Sequence, residues 1–396
     1  MARHRLTDRV LAARAERTAS ASLRPRRIIE SRDGVSVRVG GRELVNFCSN
    51  DYLGLSQHVD VATAFQAASA VHGVGSGGSA LVCGHHAEHA RLEEEAAEWM
   101  GYPRALLVGS GYLANLAALQ SLLGPDDICV QDKLNHACLL DGARHSFCVL
   151  KRYPHRDSGA ALRQLMADRD GAAMVATDGV FSMDGDLAPL RELAVLARSQ
   201  DALLFVDDAH GIGVMGPDGR GSVAVANLGH QEVPLLCLPL GKAFGGQGAL
   251  LLGSDAIIGH IAETARPYLF STAPPPAMAA AMRVSLRLIR SEPWRRAKLA
   301  SLIMRFRRTA LAAGLPLLES YTPIQPILLG GNARALAVSA ALEEEGLLVG
   351  AIRPPTVPDG QARLRVTLNA AHSDQQVDAL VAALVRACAS PRAAAG

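Results

Sequence analysis

The sequence lacks the features of several large protein classes. Its 396 residues carry a net charge of +2, which argues against a dedicated nucleic-acid binder. All apolar runs, of which residues 249–252 are one example, are far shorter than the ~18 residues of a membrane-spanning helix. The seven cysteines are scattered and none forms a Cys-x-x-Cys pair, so neither a zinc site nor a disulfide framework is indicated. A reducing cytoplasm is the simplest location for such a chain.

What is present is a long alternation of strand-like and helix-like segments. The length exceeds that of a single hydrophobic core, so two domains are expected. Between residues 57 and 270, short apolar runs alternate with Ala- and Leu-rich helical stretches. This alternation predicts a mostly parallel central sheet flanked by helices, an α/β fold. The predicted strands are 105–108, 128–131, 147–150, 174–176, 202–206, 235–238 and 250–252, and the predicted helices between them include 87–100, 113–123, 160–167 and 187–199.

The two ends of the chain have different patterns. Near the N-terminus, Leu6 and Val10 lie four residues apart, which predicts a helix that packs on the body through one face. A hairpin is predicted over 36–48. After the prolines at 274–276, helices are grouped between a few strands, which predicts a smaller α+β domain. The predicted organisation is therefore an N-terminal helix and hairpin over 1–48, a large domain over 49–275 and a small domain over 276–396.

An alternative for the N-terminus is an organellar targeting peptide, because the first 20 residues are rich in arginine and amphipathic. Asp8 and Glu16 weaken that interpretation, since such peptides contain few acidic residues.

An acid and a lysine follow two of the predicted strands. Asp207 comes directly after 202–206, and Lys242 follows 235–238 in a Gly-rich loop. Because ligands bind at the carboxyl ends of parallel strands, both residues are expected at one site. A lysine that forms a Schiff base and an acid that protonates a pyridine nitrogen are what pyridoxal 5'-phosphate (PLP) chemistry requires. A P-loop lysine is excluded, because that motif needs glycine at 236 and Ser or Thr at 243, where Leu236 and Ala243 stand.

Other polar residues near predicted strand ends are further candidates. Gly111 and Tyr112 open the helix after strand 105–108, and a helix start suits a phosphate group. His136 could stack on a planar ring, Ser182 could donate to the cofactor, and His210 could bond the phenolic oxygen of the ring. Taken singly, each of these residues is also compatible with an ordinary loop.

Two motifs are set aside. Residues 73–78 match the dinucleotide pattern G-x-G-x-x-G, but they follow helical sequence rather than a strand, and a flexible loop is the better interpretation. His85 and His89 lie four residues apart but lack the His-Glu-x-x-His order, so no metal site is predicted.

With these residues in view, the chain resembles the α-oxoamine synthases, PLP-dependent enzymes of fold type I. The resemblance covers nearly the whole chain and is most specific at 351–358 and 362–365, which are similar to the pimeloyl-using branch. The other segments on which the resemblance rests are 49–55, 75–79, 110–112, 179–186, 207–211, 219–222 and 241–242.

The resemblance implies an acyltransferase of biotin biosynthesis that condenses L-alanine with a pimeloyl thioester, carried by CoA or by an acyl carrier protein. Lys242 would hold PLP and act in catalysis with His136. Arg24, His136 and Thr356 would contact substrate. The segment at 271–272 is similar to one that reaches the partner subunit's phosphate, which implies a homodimer.

Three departures from the family pattern and one alternative remain. One departure is the unusual continuation of the Gly-Ser loop at 80–83. Pro239 stands where threonine usually gives a hydroxyl to the phosphate, which implies weaker PLP binding. Asp178 stands where glutamate is common. Glycine-using relatives, such as 5-aminolevulinate synthase and 2-amino-3-ketobutyrate CoA ligase, share all the PLP residues and stay open as an alternative. An oxidoreductase on a similar architecture is disfavoured by the misplaced glycine motif.

Overall fold

The computed structural model describes residues 5–24, 26–167 and 170–389. The chain divides into two compact units. The large unit consists of Asn50–Ser182 and Asp186–Leu299, and the small unit consists of Met1–Ser49, Met183–Gly185 and Ala300–Gly396. Among the described residues, no helix combines the length and apolar character that crossing a bilayer requires.

The strands, in chain order, are β1 (Ser31–Asp33), β2 (Ser36–Val39), β3 (Arg42–Asn46), β4 (Arg104–Val108), β5 (Ile128–Asp132), β6 (Val149–Tyr153), β7 (Ala173–Asp178), β8 (Leu203–Asp207), β9 (Leu235–Pro239), β10 (Ala249–Gly253), β11 (Ile324–Gly330), β12 (Leu347–Leu348), β13 (Gly350–Ile352) and β14 (Ala362–Thr367).

The helices are α1 (Leu6–Ala19), α2 (Val59–His72), α3 (Ala87–Met100), α4 (Gly111–Leu122), α5 (Ala137–His145), α6 (Ser158–Met166), α7 (Leu190–Ser199), α8 (Gly221–Val225), α9 (Asp255–Thr264), α10 (Arg266–Leu269), α11 (Pro276–Ser291), α12 (Pro293–Ala312), α13 (Asn332–Glu344) and α14 (Asp374–Ala389).

The large unit contains a seven-stranded sheet in the order β4-β10-β9-β8-β7-β5-β6. All strand pairs are parallel except those of β10, which runs antiparallel to both β4 and β9. Every residue of β5, β9 and β10 is buried, as expected for strands covered on both faces. The predicted mostly parallel sheet flanked by helices is confirmed.

Side-chain caps fix where several helices of the large unit begin. Ser110 accepts the N–H of Leu113 at the start of α4, and Asp157 accepts that of Ala160 at the start of α6. Each cap satisfies a backbone donor that has no partner within its helix. Since α4 starts three residues after β4, its first turn lies close to the carboxyl end of that strand.

The small unit contains two further sheets. The first has the order β1-β2-β3-β12, in which β12 pairs in parallel with β3, and the second has the order β11-β14-β13 and is antiparallel. Pairing of Leu347 with Val45 joins the N-terminal hairpin to the C-terminal part of the chain. That pairing links distant positions and has no local sequence pattern, which is why the predicted boundaries treat 1–48 as a separate segment.

The large unit also extends beyond the predicted boundary at 276. Helix α11 packs on α2 and α3, and Arg283 bonds Glu88 at 2.7 Å and Glu95 at 2.6 Å. These contacts explain why the compact unit continues to Leu299.

The N-terminal helix forms, but its predicted packing is wrong in this single chain. None of the residues of α1 is buried, and Leu6 and Val10 are 64% and 49% exposed. On the face of Leu6 and Val10, the next positions are Ala13, Arg14 and Arg17. The apolar stripe is therefore too short and too narrow to direct the helix onto a core.

Candidate active site

The predicted cofactor residues come together at one edge of the seven-stranded sheet. Strands β5, β7, β8 and β9 are neighbours and parallel, so their carboxyl ends meet at this edge. A cavity of about 250 Å³ lies there, within the large unit. Its lining includes all seven predicted cofactor-binding residues, namely Gly111, Tyr112, His136, Ser182, Asp207, His210 and Lys242.

Asp207 is the last residue of β8 and is held from two sides. One carboxylate oxygen accepts the amide N–H of Asn115 at 2.5 Å, and the other accepts the backbone N–H of Ala209 at 3.0 Å. The side chain is 4% exposed. A buried carboxylate fixed in this way can stabilise a positive charge on a ligand without having to reorganise.

Lys242 lies in a tight loop that follows β9. Gly245 N–H donates to the carbonyl of Lys242 at 2.8 Å, and Gly246 N–H donates to that of Leu240 at 3.0 Å. The loop brings the lysine back over the sheet edge, into the cavity that Asp207 also lines.

His136 precedes α5 and lines the same cavity. Its backbone N–H donates to Asp178 at 2.8 Å, and its ring Nδ1 accepts the backbone N–H of Cys138 at 3.3 Å. Burial lowers the pKa of His136, so the neutral ring is favoured at pH 7. Because Nδ1 acts as an acceptor, the neutral ring carries its proton on Nε2.

The start of α4 supplies a candidate phosphate site. The backbone N–H groups of Gly111 and Tyr112 belong to the first turn, where helices leave donors without internal partners. A Cβ atom at Gly111 would lie 3.0 Å from the ring of Pro239, so glycine allows this close approach. The Tyr112 hydroxyl donates to Asp141, and this bond, followed by burial, raises the pKa of Tyr112 to about 12.

His210 and Ser182 complete the predicted set. His210 is buried, and its Nδ1 lies 2.5 Å from the hydroxyl of Tyr52, which is fully buried. Ser182 lies in the loop after β7 and lines the cavity. Both residues line the cavity, and their contacts with a cofactor stay predictions.

Asp208 lies next to Asp207 but faces a different environment. Its carboxylate accepts the backbone N–H of Ser222 at 2.8 Å, and burial raises its pKa to about 7. Three glycines surround it: a Cβ atom at Gly179, Gly211 or Gly221 would clash with its carboxylate. The packing anchors the turn that follows Asp207.

The two predicted substrate residues outside the sheet belong to the small unit. Arg24 Nη2 donates to the hydroxyl of Thr356 at 3.0 Å and to the carbonyls of Arg353 and Pro354 at 3.3 Å. Arg353 in turn donates to the carbonyls of Ala21 and Leu23. The structure thus brings Arg24 and Thr356 together through reciprocal arginine–carbonyl bonds.

Sequence reasoning missed two side chains that shape the site. Cys138 lines the cavity with its Sγ 2.8 Å from His136 Nδ1, and Asn115 on α4 holds Asp207. Burial raises the pKa of the Cys138 thiol well above its usual range, so it stays protonated. The position of Asn115 on the helix face toward the sheet was a signal that could have identified it, whereas Cys138 has no such pattern.

Asp178 was noted only as a departure from the family pattern, and the structure gives it a place in the site. It ends β7, lines the cavity and accepts the His136 N–H. Burial, reinforced by the nearby Asp207, raises the pKa of Asp178 well above its usual range.

The two motifs set aside have structural explanations. The loop at 73–78 follows helix α2, not a strand, as predicted. His85 bonds Glu93 at 3.0 Å, His86 bonds the carbonyl of Ser76 at 3.2 Å, and His89 bonds that of Pro274 at 2.9 Å. Each ring thus has a partner that explains its position without a metal.

The donor set of the cavity matches the groups of PLP. Lys242 offers an amine for the aldehyde, Asp207 a fixed carboxylate for the pyridine nitrogen, and the start of α4 offers N–H groups for the phosphate. Pro239 also lines the cavity, and it provides neither a hydroxyl nor an N–H group.

Comparison with known proteins agrees with this geometry. Residues 42–384 match the family "Aminotransferase class I and II". The 8-amino-7-oxononanoate synthase of Stenotrophomonas maltophilia is 59% identical over 98% of this chain and 95% of its own length. That of Xanthomonas axonopodis pv. citri is 57% identical over 98% and 97%.

Solved structures are similar over most of the chain. Serine palmitoyltransferase from S. paucimobilis, solved with a PLP–myriocin aldimine, has a TM-score of 0.92 and 26% identity over 97% of this chain and 98% of its own. The 8-amino-7-oxononanoate synthase from Francisella tularensis has a TM-score of 0.76 and 31% identity over 87% and 97%. The chain therefore belongs to the class I and II aminotransferase family and, within it, to the 8-amino-7-oxononanoate synthases, PLP-dependent enzymes of biotin biosynthesis.

Proposed function

We propose that this enzyme condenses L-alanine with a pimeloyl thioester and releases carbon dioxide and the free thiol, giving 8-amino-7-oxononanoate. The carbon count agrees: three from alanine and seven from the acyl group, less one as carbon dioxide, leave nine. The observation that carries the proposal is the convergence of Lys242, Asp207 and His136 on one cavity in a member of this family.

Each site residue has a task in this reaction. When bound, PLP supplies an electron-accepting ring that stabilises the carbanion formed at the α-carbon of the amino acid. Lys242 would hold the cofactor, and its free amine would remove the α-proton of alanine. Asp207 keeps the ring nitrogen protonated, since a buried carboxylate favours the charged form of its partner.

His136 is suited to orient the second substrate. With its proton on Nε2, the neutral ring can donate a hydrogen bond to the thioester carbonyl, or later to the carboxylate that is lost. Stacking of its ring on the cofactor is compatible with this role.

Arg24 and Thr356 are proposed to select the acyl donor. The pimeloyl group ends in a carboxylate, and a guanidinium beside a hydroxyl binds such a group through charge-assisted hydrogen bonds. The donor would be carried by CoA or by an acyl carrier protein, and the enzyme would act as a homodimer in the cytoplasm. The segment proposed to reach the partner subunit is ordered within the chain, where Thr272 forms a bridge with Ser79 and Ala273 N–H donates to Gly78 at 2.9 Å.

A substrate matrix tests the proposal. Purified holoenzyme is assayed with alanine, glycine and serine against pimeloyl, succinyl, acetyl and palmitoyl thioesters, and the aminoketone product is identified by mass spectrometry. We expect alanine with the pimeloyl thioester to give the highest kcat/KM by at least about tenfold, the discrimination that one or two misplaced groups produce. A preference for glycine would instead assign the chain to the glycine-using relatives.

A further inference from the structure

His155 bridges two buried carboxylates outside the cavity. It follows β6, and its Nδ1 lies 3.0 Å from Asp132, while its Nε2 lies 2.8 Å from Asp186. The edge of its ring packs against Phe181, with centroids 4.5 Å apart and the planes at 84°. The side chain of Asp132 is fully buried and that of Asp186 is 13% exposed.

The two carboxylates belong to the two loops that carry predicted cofactor contacts. Asp132 ends β5, and its side chain accepts the N–H of Leu134 at 2.8 Å, in the loop that leads to His136. Asp186 closes the other loop, where its carbonyl accepts the N–H of Phe181 at 2.9 Å, next to Ser182. A single imidazole therefore connects the backbone before His136 to the backbone around Ser182.

The charges in this cluster favour a protonated His155 ring that donates a hydrogen bond from each of its two nitrogens. Burial lowers the pKa of His155, but hydrogen bonds to Asp132 and Asp186 outweigh this and raise it to about 9. At pH 7 both ring nitrogens therefore carry protons and donate. Arg156 supports the same carboxylates, since its side chain lies 3.3 Å from Asp186 and its N–H donates to Asp132 at 2.8 Å.

We propose that His155 is a positioning residue, which holds the His136 loop and the Ser182 loop at the spacing that the cofactor ring requires. It does not line the cavity, so it acts only through these loops. Small displacements of a contacting group lower the rate strongly, because productive geometry is narrow. The inference rests on the proposed contacts of His136 and Ser182 and goes beyond them.

The test compares His155→Gln with Arg156→Gln in the PLP-loaded enzyme. Glutamine at 155 cannot donate to both carboxylates as a cation. Arg156→Gln keeps His155 and the backbone N–H bond from residue 156 to Asp132, and it removes only a half-exposed ion pair with Asp186. For each variant we measure the absorption spectrum of the bound cofactor in the absence of substrates and the PLP affinity by titration of the apoenzyme. We also measure the midpoint of thermal unfolding, and kcat and KM for both substrates.

We expect His155→Gln to lower kcat about tenfold, with KM for the amino acid within about twofold, and to shift the cofactor absorption band. Arg156→Gln should stay within about twofold of the wild type, as surface ion pairs contribute little. A native spectrum and native kcat in His155→Gln, whatever its thermal midpoint, would overturn the proposal.

Asp186→Asn provides a second route if His155→Gln does not fold, because it weakens the bridge while His155 remains. The same spectral shift and lower kcat are expected, and an unchanged spectrum and kcat would again contradict the inference. The spectrum is read without substrates, so it also separates this inference from the substrate proposal. A shifted band in an enzyme that does not use alanine and pimeloyl thioester would leave the positioning role standing.

Discussion

The sheet edge around Asp207 and the loop around Arg24 fix their side chains in different ways. Asp207 is 4% exposed, ends a buried strand, and is held by Asn115 and by a backbone N–H. Arg24 and Thr356 are exposed and are held through carbonyls of a loop in the small unit. The difference indicates that the carboxylate proposed to pair with the cofactor is fixed by the sheet, while the groups proposed for substrate choice lie where the loops can vary.

The most severe test of the sheet-edge region is Lys242→Ala. We expect turnover to fall by at least about 10³-fold, because both the covalent link and the proton transfer are lost. Circular dichroism should be unchanged, and Lys151→Ala on β6 serves as the matched control. Full activity in Lys242→Ala would remove the chemical role from this edge of the sheet.

The next test concerns the carboxylate. Asp207→Ala should lower kcat by about 10²-fold, since removal of one partner of a buried charge pair costs about 3–5 kcal/mol and only part of that is felt in the transition state. Asp207→Glu retains the charge and should lose less. Steady-state kinetics at saturating PLP measure both variants, and equal losses would contradict the electrostatic role.

The loop region should respond in binding rather than in turnover. Arg24→Gln is expected to raise KM for the pimeloyl thioester about tenfold with kcat nearly unchanged, because the lost contact is made equally in the ground state and the transition state. KM for alanine should not change. Arg26→Gln, also exposed, is the control. A fall in kcat alone would place Arg24 with the chemical groups and erase the contrast between the two regions.

The smallest expected effect is a gain. Pro239→Thr would add a hydroxyl to the cavity near Gly111, where a phosphate group is proposed. One additional hydrogen bond contributes about 0.5–1.5 kcal/mol, so the dissociation constant of PLP should fall about two- to tenfold. Equilibrium titration of the apoenzyme with PLP measures this, and weaker binding would show that the proline packing matters more than the missing hydroxyl.

Much of the sheet was predictable, because fully apolar strands separated by amphipathic helices have a strong local pattern. Asp207 and Lys242 could be predicted for the same reason, since they lie at the ends of two such strands. The antiparallel direction of β10 could not be predicted, because an apolar run looks the same in the sequence whether its strand pairs in parallel or antiparallel. The predicted strand at 147–150 begins two residues late in the structure, at Val149, because Phe147 adopts a positive φ of 64°.

The remaining features depend on contacts between distant positions. The pairing of β12 with β3, the bond between Arg24 and Thr356, and the bridge of His155 join residues 23 or more positions apart. No local periodicity encodes such pairs. The resemblance to a known family identified Arg24 and Thr356, but His155 lies in a short turn whose sequence gives no sign of its two acidic partners.

The packing of Asp208 limits which amino-acid substitutions this protein tolerates. Its carboxylate fills the space that side chains at Gly179, Gly211 and Gly221 would occupy. Random substitution at these three positions should therefore return glycine almost alone among active clones, although none of them carries a functional group. The tolerance of the enzyme to mutation is then set partly by residues that contribute only the absence of a side chain.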